Sequence, residues 1–152
     1  MNKQEKVTSV RKQSQQYAYT SIQMHEAIGR KAGMSGTDHK YLGFLLQRGP
    51  MTAGELSVLT GLTTGAVTGL IDRFETQGLV KRQADKTDRR KVVIVPETEK
   101  IKALIMPLYT DFQTGTDALL ASFSADELDV LYRYFSEALL LMNAKIASVN
   151  LK

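Results

Sequence analysis

Three threonines and three cations pose the chemical question. Thr63, Thr64 and Thr68 fall within "TGLTTGAVTGLIDRFETQGLV", and Lys86, Arg89 and Arg90 fall within "ADKTDRRKVV". Hydroxyls at these spacings line the start of a helix, where they donate and accept hydrogen bonds while their methyl groups offer apolar contact. Guanidinium and ammonium groups on a short charged loop donate to phosphate-type oxygens. Gly65 and Gly69 stand among the threonines, where a missing side chain permits close backbone approach, and Arg73 follows a turn later. A polyanion that presents base edges as well as charge is the kind of partner such a set can read.

Composition narrows the alternatives. The chain has 152 residues, 43% hydrophobic and 24% charged, which suits one globular domain with a real core. No run of about 18 apolar residues predicts a membrane span. "MNKQEKVTSVRKQSQQ" lacks the apolar centre of a signal peptide, so the expectation is a cytoplasmic protein. Cysteine is absent, which excludes disulfides and thiol chemistry. The net charge is +4. Between Val80 and Lys91, Lys81, Arg82, Lys86, Arg89, Arg90 and Lys91 outweigh Asp85 and Asp88 by the same +4, so the remainder is close to neutral. A local basic stripe on a neutral body is either a nucleic-acid footprint or a solvated hairpin tip.

No nucleophile–base arrangement, glycine-rich phosphate loop or carboxylate pair with a defined setting is evident, so no enzyme and no cofactor are expected. His25 and His39, with no cysteine beside them, are a thin basis for a metal site, and none is expected.

The elements that must position these groups follow from periodicity. Val7, Val10, Ser14, Tyr17, Ser21, Met24 and Ile28 predict one stripe of a long first helix, ended by Gly29 and Gly33. Thr37 reads as the N-cap of a second helix with Tyr41, Leu42, Leu45 and Leu46 on its apolar face, stopped at Gly49-Pro50. Thr52 and Glu55 form a capping box, and Ala53, Leu56 and Leu59 face inward. Gly61 supplies a left-handed turn residue. Thr63 then caps a helix that buries Val67, Leu70, Ile71 and Phe74 and ends at Gly78. "LVKRQA" and "RKVVIVP" predict a hairpin. Ile101, Leu104, Ile105, Leu108, Phe112, Leu119 and Leu120 form a face of the next helix, which Pro107 should kink. Ser124 and Glu127 make a second capping box, and the terminal helix has an apolar arc wider than one contact face needs.

Helix, glycine turn, helix and two-stranded wing make a winged helix-turn-helix, whose second helix enters the major groove of DNA. "MTAGELSVLTGLTTGAVTGLIDRFETQGLVKR" followed by "DKTDRRKVVIV" resembles the MarR family of bacterial transcription regulators, over residues ~35 to 95 by motif and over the flanking helices by their order. The implied fold is mostly α with a small β-hairpin wing and with N- and C-terminal dimerisation helices. Residues 1–34 would form the N-terminal dimerisation helix, 35–96 the DNA-binding region, and 97–152 the C-terminal helices that complete one intertwined domain. The resemblance implies a sequence-specific, homodimeric regulator of transcription, a repressor on a palindromic operator in double-stranded DNA, released by a small aromatic or anionic effector.

Carried over residue by residue, Thr63, Thr64, Gly65 and Thr68 match recognition-helix positions, and Arg90 matches the wing arginine, supported by Lys86 and Arg89. Arg73 reads either as a phosphate contact or as an ion-pair partner of Asp72. Asp85 and Asp88 are expected to pre-set the wing arginines. Tyr17, His25, Tyr41 and Tyr109 are candidates for an effector pocket, with core packing as the other reading of the tyrosines. Gly69 departs from the basic or polar residue common in the family, "VPETEK" departs from the usual residues after the wing, and the lack of cysteine excludes thiol-based peroxide sensing. Gly69 also leaves open a second reading, a winged-helix dimer used for protein interaction with weak DNA binding.

Overall fold

The computed structural model describes residues 1–151. Among these residues, six helices and three short strands follow in the order α1 (Lys3–Lys31), α2 (Gly36–Arg48), β1 (Met51–Thr52), α3 (Ala53–Thr60), α4 (Thr64–Thr76), β2 (Val80–Ala84), β3 (Val92–Pro96), α5 (Thr98–Ala121) and α6 (Ala125–Asn150). This is the mostly helical winged helix-turn-helix expected from the sequence. The chain divides between Tyr109 and Thr110 into two compact units.

In the first unit, α1 begins at a capping box made by Asn2 and Glu5. It runs through Gly29, which is buried within the helix, so the predicted break there is corrected: only Gly33, at φ 84°, leaves helical geometry. Burial against neighbouring elements outweighs the modest intrinsic cost of a helical glycine. The cap of α2 is also corrected, from Thr37 to Ser35, whose hydroxyl accepts from the Asp38 N–H at 3.1 Å. Tyr41, Leu42 and Leu45 are buried as expected, while Leu46 is exposed and Phe44 packs partly against the core instead.

The core gathers around α4. Val67, Leu70, Ile71 and Phe74 are at most 1% exposed and meet Leu42 and Leu45 of α2, Leu56 of α3 and Ile101 of α5 within one apolar cluster. Full burial of each such side chain contributes roughly 1.5–3 kcal/mol, so the inner stripe of α4 holds most of it in place and its outer face can stay bare. At its end, the Leu79 N–H reaches the Phe74 carbonyl at 2.9 Å and the Gly78 N–H reaches Glu75 at 3.0 Å, with Gly78 at φ 72°. That double closure is a Schellman motif, and it turns the chain directly into the wing.

The sheet has the order β1-β3-β2, antiparallel throughout. Arg82 pairs with Ile94, and Ala84 with Val92, along the hairpin. Met51 pairs with Ile94 on the other side of β3, a two-residue strand that periodicity alone did not predict. Pro107 lies inside α5.

The second unit contains the remainder of α5 and α6. Ser124 and Glu127 cap α6 reciprocally, as expected. No residue of α6 is buried within the chain, and Leu139, Leu140, Leu141, Met142, Ile146 and Val149 are all exposed.

Candidate nucleic-acid interface

The turn between α3 and α4 is stitched by its own polar side chains. Gly61 sits at φ 74° and ψ 5°, and its N–H reaches the Ser57 carbonyl at 2.9 Å. The Ser57 hydroxyl donates to the Leu62 carbonyl at 2.6 Å, and the Thr60 hydroxyl accepts from the Leu62 N–H at 3.2 Å. A non-glycine residue at such a φ costs on the order of 1–2 kcal/mol, which accounts for the glycine. Thr63 then caps α4 by accepting from the Ala66 N–H at 3.2 Å.

Thr64, Gly65 and Thr68 lie together on the exposed face of α4's first turns. The Thr68 hydroxyl donates back to the Thr64 carbonyl at 3.0 Å, which leaves its lone pairs free to accept. A Cβ added at Gly65 would meet nothing within 4 Å. The face is therefore open, uncharged and of low relief, with the free N–H groups of a helix start at one end.

Arg73 is held by a two-pronged pair: Nε donates to Asp38 Oδ2 at 2.8 Å and a terminal nitrogen donates to Oδ1 at 3.0 Å. The suggested Asp72–Arg73 pairing is corrected. Asp72 instead accepts from Arg82, at 2.5 Å, and Arg82 also reaches Glu75 at 2.7 Å. One guanidinium of β2 thus clasps two carboxylates of α4. These pairings raise the pKa of both arginines, chiefly through the hydrogen bonds to Asp38 and to Asp72. The remaining basic stripe is trimmed further by Lys81, which pairs with Glu97 at 3.0 Å. Its outward charge is concentrated at the tip, on Lys86, Arg89, Arg90 and Lys91, all exposed.

The tip itself is built by its aspartates. The Asp85 N–H donates to the Lys91 carbonyl at 2.9 Å, and the Asp85 carboxylate accepts from the Thr87 N–H at 3.3 Å. Asp88 accepts from the Arg90 N–H at 3.1 Å and from Arg90 Nε at 3.2 Å. The Arg90 side chain is 93% exposed, so this ion pair adds little stability. Both contacts end on one oxygen, Asp88 Oδ1, so they tie Arg90 to the turn at its backbone and at Nε.

Of the four candidate pocket residues, the structure brings two together. His25 Nδ1 and the Tyr109 hydroxyl are in hydrogen-bond contact, and the same hydroxyl lies 3.3 Å from His39 Nε2. The two imidazoles stack with centroids 5.9 Å apart. His25 also lines a cleft of about 380 Å³ with Ile22, Glu26, Lys40 and Phe44. Tyr41 is buried in the core beside Phe44, and Tyr17 stands eight residues before His25 on α1, roughly 12 Å along the helix. His39 completes this cluster and was not among the pocket candidates; its only signal in the sequence is its residue type. Among the described residues, no group of three or more histidine, cysteine or acidic side chains could hold a metal ion. No helix among them is long and apolar enough to cross a membrane.

A profile of the MarR family matches residues 32–91, which span the second helix, the helix-turn-helix, and the first strand and tip of the wing. The uncharacterized HTH-type transcriptional regulator YcgE of Bacillus subtilis is 38% identical over 126 residues, covering 83% of this chain and 81% of its own. The chain belongs to the MarR family. The structure of a MarR family protein from Bacillus stearothermophilus superposes with a TM-score of 0.71 at 27% identity, covering 94% of this chain and 99% of that one. An Escherichia coli MarR mutant in complex with operator DNA shares the fold, with a TM-score of 0.56 at 18% identity, covering 91% of this chain and 99% of that one. DNA-binding regulation of transcription is the activity of this family, and the relatives matched are regulators, not enzymes.

Proposed function

We propose that this MarR-family regulator is a homodimeric repressor that binds a palindromic operator through α4 and the wing, and that a small molecule releases it. The observation that carries the reading is the pairing of two unlike surfaces on one rigid frame. The open, uncharged face of Thr64, Gly65 and Thr68 suits a major groove. The exposed tip of Lys86, Arg89 and Arg90 suits phosphates and the narrow, electronegative minor groove. Thr63 acts mainly as a cap, and Arg73 as an anchor of α4 whose guanidinium still reaches solvent.

Dimer formation is supported by the exposed apolar side chains of α1 and α6, among them Val7, Val10, Leu141 and Ile146. Such surface on a helix needs a covering partner. Two recognition helices would then engage half-sites about 34 Å apart. The cleft beside His25, with Lys40 at one side and Phe44 at another, suits a small aromatic or anionic effector. A chromosomal operator places the protein in the cytoplasm.

The test is fluorescence anisotropy with duplex DNA from immediately upstream of the protein's own gene, at two salt concentrations, for wild type and Arg90→Ala. Selective binding whose dependence on log salt is shallower in the variant, by about one unit per lost contact, is the expected result. Equal affinity for random DNA, unchanged in the variant, would remove the proposal.

A further inference from the structure

We propose that His25, Tyr109 and His39 form a proton-sensitive switch on the recognition helix, read out through the Asp38–Arg73 ion pair. Three helices meet in it: α1 supplies His25, α2 supplies His39, and α5 supplies the hydroxyl that both imidazoles address. The inference goes beyond DNA binding and concerns how α4 is controlled.

The hydrogen bonds leave little freedom for an added proton. His39 is 8% exposed, and its Nδ1 is buried with no hydrogen-bond partner among the described residues. A bare nitrogen lone pair is tolerable there, whereas a bare N–H would be a buried donor without an acceptor. The neutral ring therefore carries its hydrogen on Nε2 and donates it to the Tyr109 oxygen, and Tyr109 donates its own hydrogen to His25 Nδ1. The direction of the chain follows from satisfying every group. A proton arriving at His39 must sit on Nδ1, where nothing accepts it, and it would face a second imidazole stacked 5.9 Å away. Burial first, and then His25, hold the pKa of His39 below its ordinary value of 6.5. Tyr109 is pushed the other way by burial and stays protonated through the neutral range.

Other charged groups face the cluster from each element around it. Glu26 stands beside His25 on α1, Asp38 and Lys40 flank His39 on α2, and Arg73 of α4 caps Asp38. On α5, Tyr109 is the titratable group in contact with both histidines. Asp38 is already committed in both carboxylate oxygens to Arg73, so it does not compensate a charge on His39. Relief must come from movement: the first turn of α2 shifts to bring Nδ1 to water. Asp38 is the adjacent residue on that turn, and its two-pronged grip transmits the shift to α4 one turn below the face formed by Thr64 and Thr68. The output is a recognition helix whose position depends on the protonation of a histidine on another element.

The experiment follows histidine and arginine side-chain NMR signals, with amide exchange of α4, between about pH 5 and 8, on the full chain without DNA. In wild type, the Arg73 Nε–H and the α4 amides are expected to change with the same midpoint as His39. His25→Gln, at an exposed position, should raise that midpoint by removing the neighbouring charge. Asp38→Asn should leave the histidine titration in place while α4 no longer follows it. Static α4 signals through the His39 titration would overturn the proposal, as would an equal response in Asp38→Asn. DNA affinity measured over the same range should fall on the order of tenfold toward acid in wild type. Coupled α4 signals with no DNA binding at any pH would sink the operator reading and leave the switch standing.

Discussion

Replacing Arg82 by Met tests whether the wing and the recognition helix move as one piece. The guanidinium joins β2 to α4 through bonds of 2.5 Å to Asp72 and 2.7 Å to Glu75. Charge-assisted bonds contribute about 1.5–3 kcal/mol when well buried. Here the three side chains are 32%, 59% and 44% exposed, so solvent screening reduces each bond to about 0.5–1 kcal/mol. The sum is about 1–2 kcal/mol, and at roughly 2–4 °C per kcal/mol the expected loss is about 2–8 °C in Tm. Met keeps the apolar stem, so packing is nearly conserved. The variant also uncovers two carboxylates on a face proposed to meet phosphates. DNA affinity should therefore drop more than for removal of a cation elsewhere on the surface, and Asp72→Asn in the Arg82→Met background should restore part of it. Thermal denaturation followed by circular dichroism gives the first quantity, and anisotropy titration in a double-mutant cycle gives the second. An unchanged Tm, or an affinity loss that Asp72→Asn does not touch, would refute the clasp as a coupling device.

Two further outcomes follow from the geometry. Gly65→Ala adds a methyl group into open space on a helix, so the Tm should rise by a few degrees, since alanine is favoured over glycine by about 0.8–1 kcal/mol; if α4 seats closely in a groove, the same variant binds DNA more weakly, and a gain in both would argue against close approach. The lowered pKa of His39 means the unfolded chain takes up its proton first, so stability should fall as pH drops below about 6.5 and level off once the folded protein is protonated; urea denaturation across that range should show a smaller decline in His39→Gln than in wild type.

Local chemistry was legible where a residue speaks to a neighbour three or four positions away. The boxes at Thr52–Glu55 and Ser124–Glu127, the cap at Thr63 and the left-handed Gly61 all appear as read. So does the buried stripe of α4, whose period is its own signal. The misreadings are tertiary. Gly29 stays helical because it is buried, and Ser35 takes the cap from Thr37 because the chain leaves Gly33 and Met34 in a turn that presents Ser35 first. The partner of Arg73 lies 35 positions away, and that of His25 lies 84 away. No spacing rule reaches so far, and the adjacent Asp72 offered a nearer but wrong choice. β1 escaped notice because two residues carry no period; its pairing exists only once β3 is beside it.

The central place of β3 has a consequence for how such a protein can diversify. Met51 grips it from one side and Arg82 of β2 pairs from the other, both at Ile94, so the base of the hairpin is pinned. Residues 85–91 project beyond that fulcrum as a cantilever. Lengthening each arm by two residues would extend the tip by about 7 Å without altering a core contact, because the fully buried residues of the ladder, Val80 and Ile94, lie at or behind the fulcrum. Reach along the double helix is thus a variable that mutation can adjust separately from folding. The arm's length and the chemistry of α4 can be selected one at a time, which eases the drift of one scaffold from one target sequence to another.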